Sequence, residues 1–278
     1  MTTRGTLFVV AVPIGNPDDL STRARDTLRA VAVVAAEDTR HFATLARHHE
    51  IATHAVSYHD HNEEARSREL IERLSMGDSV ALVSDAGTPL ISDPGYRLVA
   101  AAIEAGIGVT ALPGPSALTT ALAASGLPPH PFRFVGFLPR TAAARMTVLT
   151  TLARDDATLI AFESPRRLTD ALSDALAALG DRPACLARNL TKPHERYQRG
   201  ALSTLINELE AEGEVRGECT VLIGGMTARP DVTEAAEADA RLLLDAGAPP
   251  RAVHALLVAR HALARREAYA LVVRLRAR

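Results

Sequence analysis

The side chains able to do chemistry gather in five short polar stretches: Glu37-Asp-Thr-Arg40, His59-Asp-His-Asn-Glu-Glu64, Ser84-Asp-Ala-Gly-Thr-Pro89, Glu163-Ser-Pro-Arg-Arg167 and Arg188-Asn-Leu-Thr-Lys-Pro-His-Glu195. Their carboxylates can accept protons or hydrogen bonds, their imidazoles can take a proton near neutral pH, and Arg40, Arg167 and Lys192 can hold phosphate. Asp85 can accept from an amino or hydroxyl donor, Gly87 permits close backbone approach, and Ser116 places a small polar group at a helix start. Two histidines beside carboxylates at 59–64 also have the composition of a metal site. No third ligand cluster of recognisable spacing accompanies them, so no metal is expected, and the stretch reads as the polar rim of a pocket or a helix start capped by Asn62. Plainer roles exist for the other stretches: a capped helix start at Asp38 or Thr39, and surface salt bridges around 163–167 and 188–195, which contribute little to stability.

These stretches follow short apolar runs that must position them. Ser79 to Val83 is the central one, an apolar run of the kind buried on both faces of a parallel sheet. Ser84 to Pro89 then breaks the chain, and Asp93-Pro-Gly95 is expected to open a helix with Asp93 as N-cap and an apolar stripe of Leu98, Val99, Ala102 and Ile103. Thr6 to Val12, Val31 to Ala35, Ala55 to Tyr58 and Ile107 to Leu112 read as further strands; the first ends at Pro13-Ile-Gly-Asn-Pro17 and the last at Pro113-Gly-Pro-Ser-Ala117. Leu20, Ala24, Leu28 and Val31 have helical spacing behind a Ser21 N-cap. Strands alternating with helices predict a parallel α/β sheet, whose ligands bind at the carboxyl ends of the strands. Ser84 to Pro89 is thus the first place to look for a small molecule, with an ordinary strand-to-helix turn as the alternative.

Ser125-Gly-Leu-Pro-Pro-His-Pro131 is dense in breakers and reads as a linker. Beyond it, Phe134 to Leu138, Thr158 to Phe162, Pro183 to Ala187 and Thr220 to Ile223 are expected strands, and 142–152, 165–179 and 203–210 expected helices. The chain therefore divides into an α/β domain at 1–125, a second at 126–227 and a helical module at 228–278.

Composition narrows the class. Of 278 residues 47% are hydrophobic, enough for a sizeable core, and the absence of a run of eighteen apolar residues argues against a membrane span. No basic-then-apolar leader opens the chain, so a cytoplasmic setting is expected. Cys185 and Cys219 sit in apolar runs and read as buried free thiols. The net charge of −2 does not announce nucleic acid, but from Arg251 onward seven arginines face a single glutamate.

Val12-Pro-Ile-Gly-Asn16, Ala36-Glu-Asp-Thr-Arg40, His59-Asp-His-Asn62, Leu82 to Pro89, Ser92-Asp-Pro-Gly95, Leu112-Pro-Gly-Pro115, Gly136-Phe-Leu-Pro139, Glu163-Ser164, Arg167 and Leu190-Thr-Lys192 follow one another over nearly the whole chain. In that order they resemble the motifs of the bacterial ribosomal RNA small subunit methyltransferase I family, which has the tetrapyrrole methylase (class III methyltransferase) fold. The resemblance implies two α/β domains with a cleft between them, homodimerisation, and 2′-O-methylation of a cytidine in small-subunit (16S) ribosomal RNA or the small ribosomal subunit by S-adenosyl-L-methionine. It also implies cofactor contacts from Pro13, Ser84, Asp85, Gly87, Thr88, Ser116, Ala117, Phe162, Glu163 and Ser164. Asp38, Glu37, His59 and Lys192 are the candidates for assisting proton removal, and Arg40, His61, Asn62, Arg167, Arg188 and Lys192 for holding RNA. The family pattern has glutamate where this chain has Asn189, so a proton acceptor is sought elsewhere, or none is used. No Gly-x-Gly-x-x-Gly fingerprint occurs, which argues against a dinucleotide site. A tetrapyrrole C-methyltransferase and a non-catalytic RNA-binding assembly factor are the rival readings.

Overall fold

The computed structural model describes residues 4–226 and 230–276. Two compact units form, Met1–Gly225 and Met226–Arg278; the division expected at 227–228 falls outside the described residues.

In the first unit, β1 (Thr6–Val10), β2 (Val33–Ala36), β3 (Ala55–Ser57), β4 (Val80–Val83) and β5 (Gly108–Leu112) make a sheet in the order β3-β2-β4-β1-β5. Every pairing in it is parallel. Successive residues of each strand point to opposite faces. Val10, Val34, Ala36, Ala81 and Val83 pack with Leu28 of α1 (Thr22–Ala30) and Phe42 of α2 (Thr39–His48). Leu7, Val33, Ala35, Val80 and Leu82 pack with Leu70 of α3 (Glu63–Ser75) and Leu98 of α4 (Tyr96–Glu104). Helices on both faces explain why the strands are apolar throughout rather than alternating.

The second sheet, in the same unit, is mixed. Its order is β6-β7-β10-β8-β9, from β6 (Phe132–Phe137), β7 (Thr158–Glu163), β8 (Pro183–Arg188), β9 (Arg196–Ala201) and β10 (Cys219–Ile223). There β6 and β7 pair in parallel, and the other pairings are antiparallel. One face carries α6 (Ala142–Thr151), α7 (Leu168–Leu179) and α8 (Leu202–Glu212) through Leu149, Leu172 and Leu205. The other face is covered by α5 (Ala117–Ser125), whose Leu118, Ala121 and Leu122 pack on Ile160, Cys185 and Leu222. That helix leaves the last strand of the first sheet and lies on the second, so it joins the two layers.

Several expectations change. The helix after the central loop starts at Tyr96 with Gly95 at its N-cap, which removes Asp93 from the capping role. Leu98 and Ala102 are buried as expected, but Ile103 is 63% exposed. The strand expected from Val31 begins at Val33, because Val31 is the C-cap of α1. β9 is largely polar and only partly buried, as suits an edge strand, and offers no apolar run to read. Ser21 and Asp38 do cap α1 and α2, accepting from the Ala24 and Arg40 amides. Cys185 and Cys219 are buried and free.

The second unit contains α9 (Pro230–Asp245), α10 (Pro250–His261) and α11 (Arg265–Arg276) around Ala236, Ala240, Val253, Leu257, Ala268 and Leu271. No described helix is long and apolar enough to cross a membrane.

Candidate active site

A cavity of about 360 Å³ opens between the two sheets of the first unit. Turns and strand ends from both layers build it. Ile14 comes from the turn after β1, Gly87 and Thr88 from the loop after β4, and Ser116 and Ala117 from the start of α5. Phe162, Glu163 and Ser164 come from the end of β7. The first two turns are tied to each other: the Val12 amide donates to the Gly87 carbonyl at 2.9 Å and the Gly87 amide to the Val12 carbonyl at 3.0 Å. Thr88 Oγ1 donates to the Pro115 carbonyl at 3.1 Å and so fixes the third. Seven of the ten residues expected at a cofactor therefore share one cavity wall: Gly87, Thr88, Ser116, Ala117, Phe162, Glu163 and Ser164.

Pro13 and Asp85 line an adjacent cavity of about 310 Å³, together with His41, His48, Lys192 and Glu218. Ser84 is buried, and its hydroxyl donates to the Ala86 carbonyl at 3.2 Å. The first turn is pressed against the loop after β8. A Cβ on Gly15 would stand 2.5 Å from Lys192 Cγ and 2.7 Å from the Leu190 carbonyl oxygen, so only glycine fits this approach. The Asn16 amide also donates to Thr191 Oγ1 at 3.0 Å.

Glu163 is the most unusual group in the wall, with a side chain that is fully buried. Its Oε1 accepts from the Ser164 amide at 2.7 Å and pairs with Arg167 Nη2 at 2.5 Å. Its Oε2 is buried with no partner among the described residues. A buried carboxylate oxygen left unsatisfied is costly and calls for a donor. Arg167, also bound to the Leu138 carbonyl at 3.3 Å, thus holds a carboxylate rather than standing free for phosphate.

Carboxylates also cluster at the ends of β2 and β4. Asp85 Oδ1 accepts from the Asp38 amide at 3.0 Å, and Glu37 Oε2 accepts from the Asp85 amide at 3.2 Å. Burial pushes the Glu37 carboxyl up, opposed by that amide. Asp93, displaced from the cap, lines the main cavity. Burial, followed by the charge of Glu37, pushes its carboxyl up to about 7, against the neighbouring Ser84 side chain, which lowers it.

The remaining candidates are placed elsewhere. Asp38 caps α2 and pairs with Arg40 at 2.6 Å; that guanidinium holds the carboxyl well below the usual carboxylate range, which makes it a weak base. Neither Asp38 nor Arg40 lines the cavity. His61 and Asn62 border a separate surface depression with Arg68 and Arg97. Asn62 stands at the N-cap of α3 without capping it, and accepts instead from the His59 amide at 2.9 Å. His59 has a buried Nδ1 without a partner among the described residues but does not reach the cavity. Arg188, expected to hold RNA, is 7% exposed and donates to Glu212 at 2.8 Å and Gln198 at 3.3 Å. Lys192 lines the adjacent cavity and pairs with Glu218 at 2.7 Å. Asn189 takes a φ of +52°, tolerable for asparagine, and its Oδ1 accepts from the Glu218 amide at 3.3 Å.

Sequence reasoning missed Ile91, Ser92, Asp93 and Phe137 in the cavity wall. Their motifs, Ser92-Asp-Pro-Gly95 and Gly136-Phe-Leu-Pro139, were visible. A capping pattern and a strand pattern masked what the side chains face.

Residues 6–206 match the model of the Tetrapyrrole (Corrin/Porphyrin) Methylases. A protein of Micromonospora olivasterospora called ribosomal RNA small subunit methyltransferase I is 57% identical over 80% of this chain and 71% of its own length. A protein of the same name from Streptococcus pyogenes serotype M1 is 43% identical over 96% of this chain and 94% of its own. Among solved structures, the uroporphyrin-III C-methyltransferase of Thermus thermophilus complexed with S-adenyl homocysteine shares the fold at a TM-score of 0.56 and 22% identity, over 79% of this chain and 97% of that one. On the family match and these identities, the chain belongs to the ribosomal RNA small subunit methyltransferase I family of tetrapyrrole methylases.

Proposed function

We propose that this protein methylates the 2′-oxygen of a cytidine in small-subunit (16S) ribosomal RNA, using S-adenosyl-L-methionine bound in the cavity between its two sheets. The observation that carries the reading is the convergence of the Ile14, Gly87–Thr88, Ser116–Ala117 and Phe162–Ser164 turns on one cavity. A cofactor with amino and hydroxyl donors and a flat apolar ring system suits that wall. Thr88 and Ser116 would supply polar contacts, and Ile14, Phe162 and Leu190 would cover its apolar parts.

When bound, the cofactor supplies an electrophilic methyl group. The protein's share is to align the accepting oxygen, which can provide on the order of 7–11 kcal/mol. Removal of the hydroxyl proton is worth roughly 10²–10⁴ in rate, and we place that role at Asp93, the cavity carboxylate displaced toward neutrality. Lys192 lines the adjacent cavity paired with Glu218, and in this reading it exchanges that carboxylate for an RNA phosphate. The reading includes a cytoplasmic setting and a homodimer, the latter supported by Tyr96, 76% exposed, and Ile103 on α4. Sedimentation of the purified protein tests the dimer. The activity is tested by methyl transfer to small ribosomal subunits and, in parallel, to a porphyrinogen. Transfer to the subunits alone, mapped to a cytidine ribose, is the expected result, and transfer to the porphyrinogen alone would overturn it.

A further inference from the structure

The mouth of the cavity carries two exposed apolar side chains on adjoining lips. Phe137 is 57% exposed although it lines the cavity, and Ile91 is 36% exposed. The backbone is specially shaped at each. The register of β6 against β7 shifts between Phe134 and Phe137, and Gly136 inside that irregularity has a φ of +68°. Bulges of this kind re-aim a side chain, here Phe137, and a glycine carries the left-handed turn without strain. On the other lip Leu90 and Ser92 take φ of +74° and +69°, a conformation that bulky residues seldom adopt and that collects at functional sites. The two lips meet, since a Cβ on Gly136 would lie 3.6 Å from Ser92 Oγ. Behind Phe137 stands an edge-to-face aromatic cluster: its ring lies 5.7 Å from that of Phe162, which lies 4.9 Å from Phe134, each pair inclined at 64°.

An exposed phenylalanine backed edge-on by Phe162 at a cavity mouth has a face free for a planar ligand. Enzymes that act on a nucleotide take it out of its stack and hold the base against aromatic or apolar side chains. We propose that Phe137, with Ile91 on the adjoining lip, is the platform on which the base of the target nucleotide stacks while its ribose enters the cavity. This rests on the functional reading above. It adds that the base is gripped by its face, with Ser92 a polar group on the same rim.

The test compares Phe137→Ala and Phe137→Trp with the wild type on small ribosomal subunits. Stacking on an aromatic is worth about 1–3 kcal/mol per base, so Phe137→Ala is expected to lose about 5- to 150-fold in kcat/KM, mostly through KM, and Phe137→Trp to stay within roughly threefold. RNA bearing a fluorescent cytosine analogue at the methylated position reports stacking directly: quenching is expected with wild type and Phe137→Trp and not with Phe137→Ala. Calorimetry with S-adenosylhomocysteine checks that each variant is folded. Unchanged KM and quenching in Phe137→Ala overturn the platform and leave the functional reading intact. Loss of activity together with dissociation of a dimer would assign Phe137 to a subunit contact and also overturn it. A wild-type protein inactive on ribosomal subunits overturns the functional reading, and the platform with it.

Discussion

Glu163 and Asp93 are two carboxylates of one cavity whose surroundings give them different properties. Glu163 is fully buried and holds Arg167 and the Ser164 amide on one oxygen, so it fixes the end of β7 from behind the wall. Glu163→Gln keeps the shape but removes the charge and places a donor beside Arg167. A hydrogen bond to a charged group contributes about 1.5–3 kcal/mol, so weakening the contact with Arg167 is expected to destabilise the fold by that order, read as a lower urea midpoint. Asp93 is shifted in the opposite sense from a carboxylate stabilised by an ion pair. Its folded value, about 7, lies above the ordinary 3.8. Below pH 3.8 the group is protonated in both states and contributes no pH dependence. As the pH climbs from there to about 7, the unfolded chain releases a proton that the folded chain keeps, and stability falls; above that the loss is complete. Asp93→Asn should flatten this part of the pH dependence in denaturant titrations and raise the stability at pH 8 relative to wild type. In single-turnover methylation the wild-type rate should rise with pH through an inflection near 7, and Asp93→Asn should be slower by roughly 10²–10⁴ with the inflection gone.

At the scale of elements, α5 and the turn after β1 decide whether the two sheets make one cavity. α5 starts at the end of the first sheet and buries Leu118, Ala121 and Leu122 on the second, and Arg199 of β9 donates to the Ala124 and Ser125 carbonyls at its C-terminal end. Gly15 lets the first turn touch the loop after β8 with no side chain between. Gly15→Ala forces a Cβ against Lys192 Cγ and the Leu190 carbonyl, and the backbone oxygen cannot rotate away. Overpacking of this kind costs about 1–3 kcal/mol, expected as a lower urea midpoint at unchanged slope. The strand-helix alternation of the first half was legible because its inner strands β2 and β4 are buried between helices and so apolar throughout. The second sheet was less so: β9 is a polar edge strand, and the antiparallel pairings leave no mark in periodicity.

For the whole molecule, charge is distributed between the two units differently from what the count of arginines suggests. In the second unit Arg241 and Arg274 pair with Glu237, and Arg260 approaches Asp239 at 3.6 Å. Arg251, Arg265 and Arg266 make no ion pair among the described residues and are exposed. If the helical unit extends the RNA footprint, replacing these three by glutamine should reduce the salt dependence of RNA binding, by about 0.7 in slope for each single-strand phosphate that is no longer neutralised. An unchanged slope in a filter-binding titration would confine the footprint to the first unit.

The order of strands, helices and loops was already written in the amino-acid chain. Apolar runs of strand length, ended by glycine, proline and short polar residues, leave few other conformations open to the backbone. Seven residues of the cavity wall could be located the same way, because residues at strand ends share an edge whenever the strands share a sheet. Which side chains face the cavity was settled in three dimensions. Asp93 reads as a cap, Phe137 as a strand residue and Arg188 as a free cation until the neighbouring elements are present. The helix start shifts to Gly95, a bulge turns Phe137 outward, and Glu212 claims Arg188. Each of these outcomes depends on the packing of residues far apart in the chain, and such packing has no local signature for periodicity or propensity to reveal.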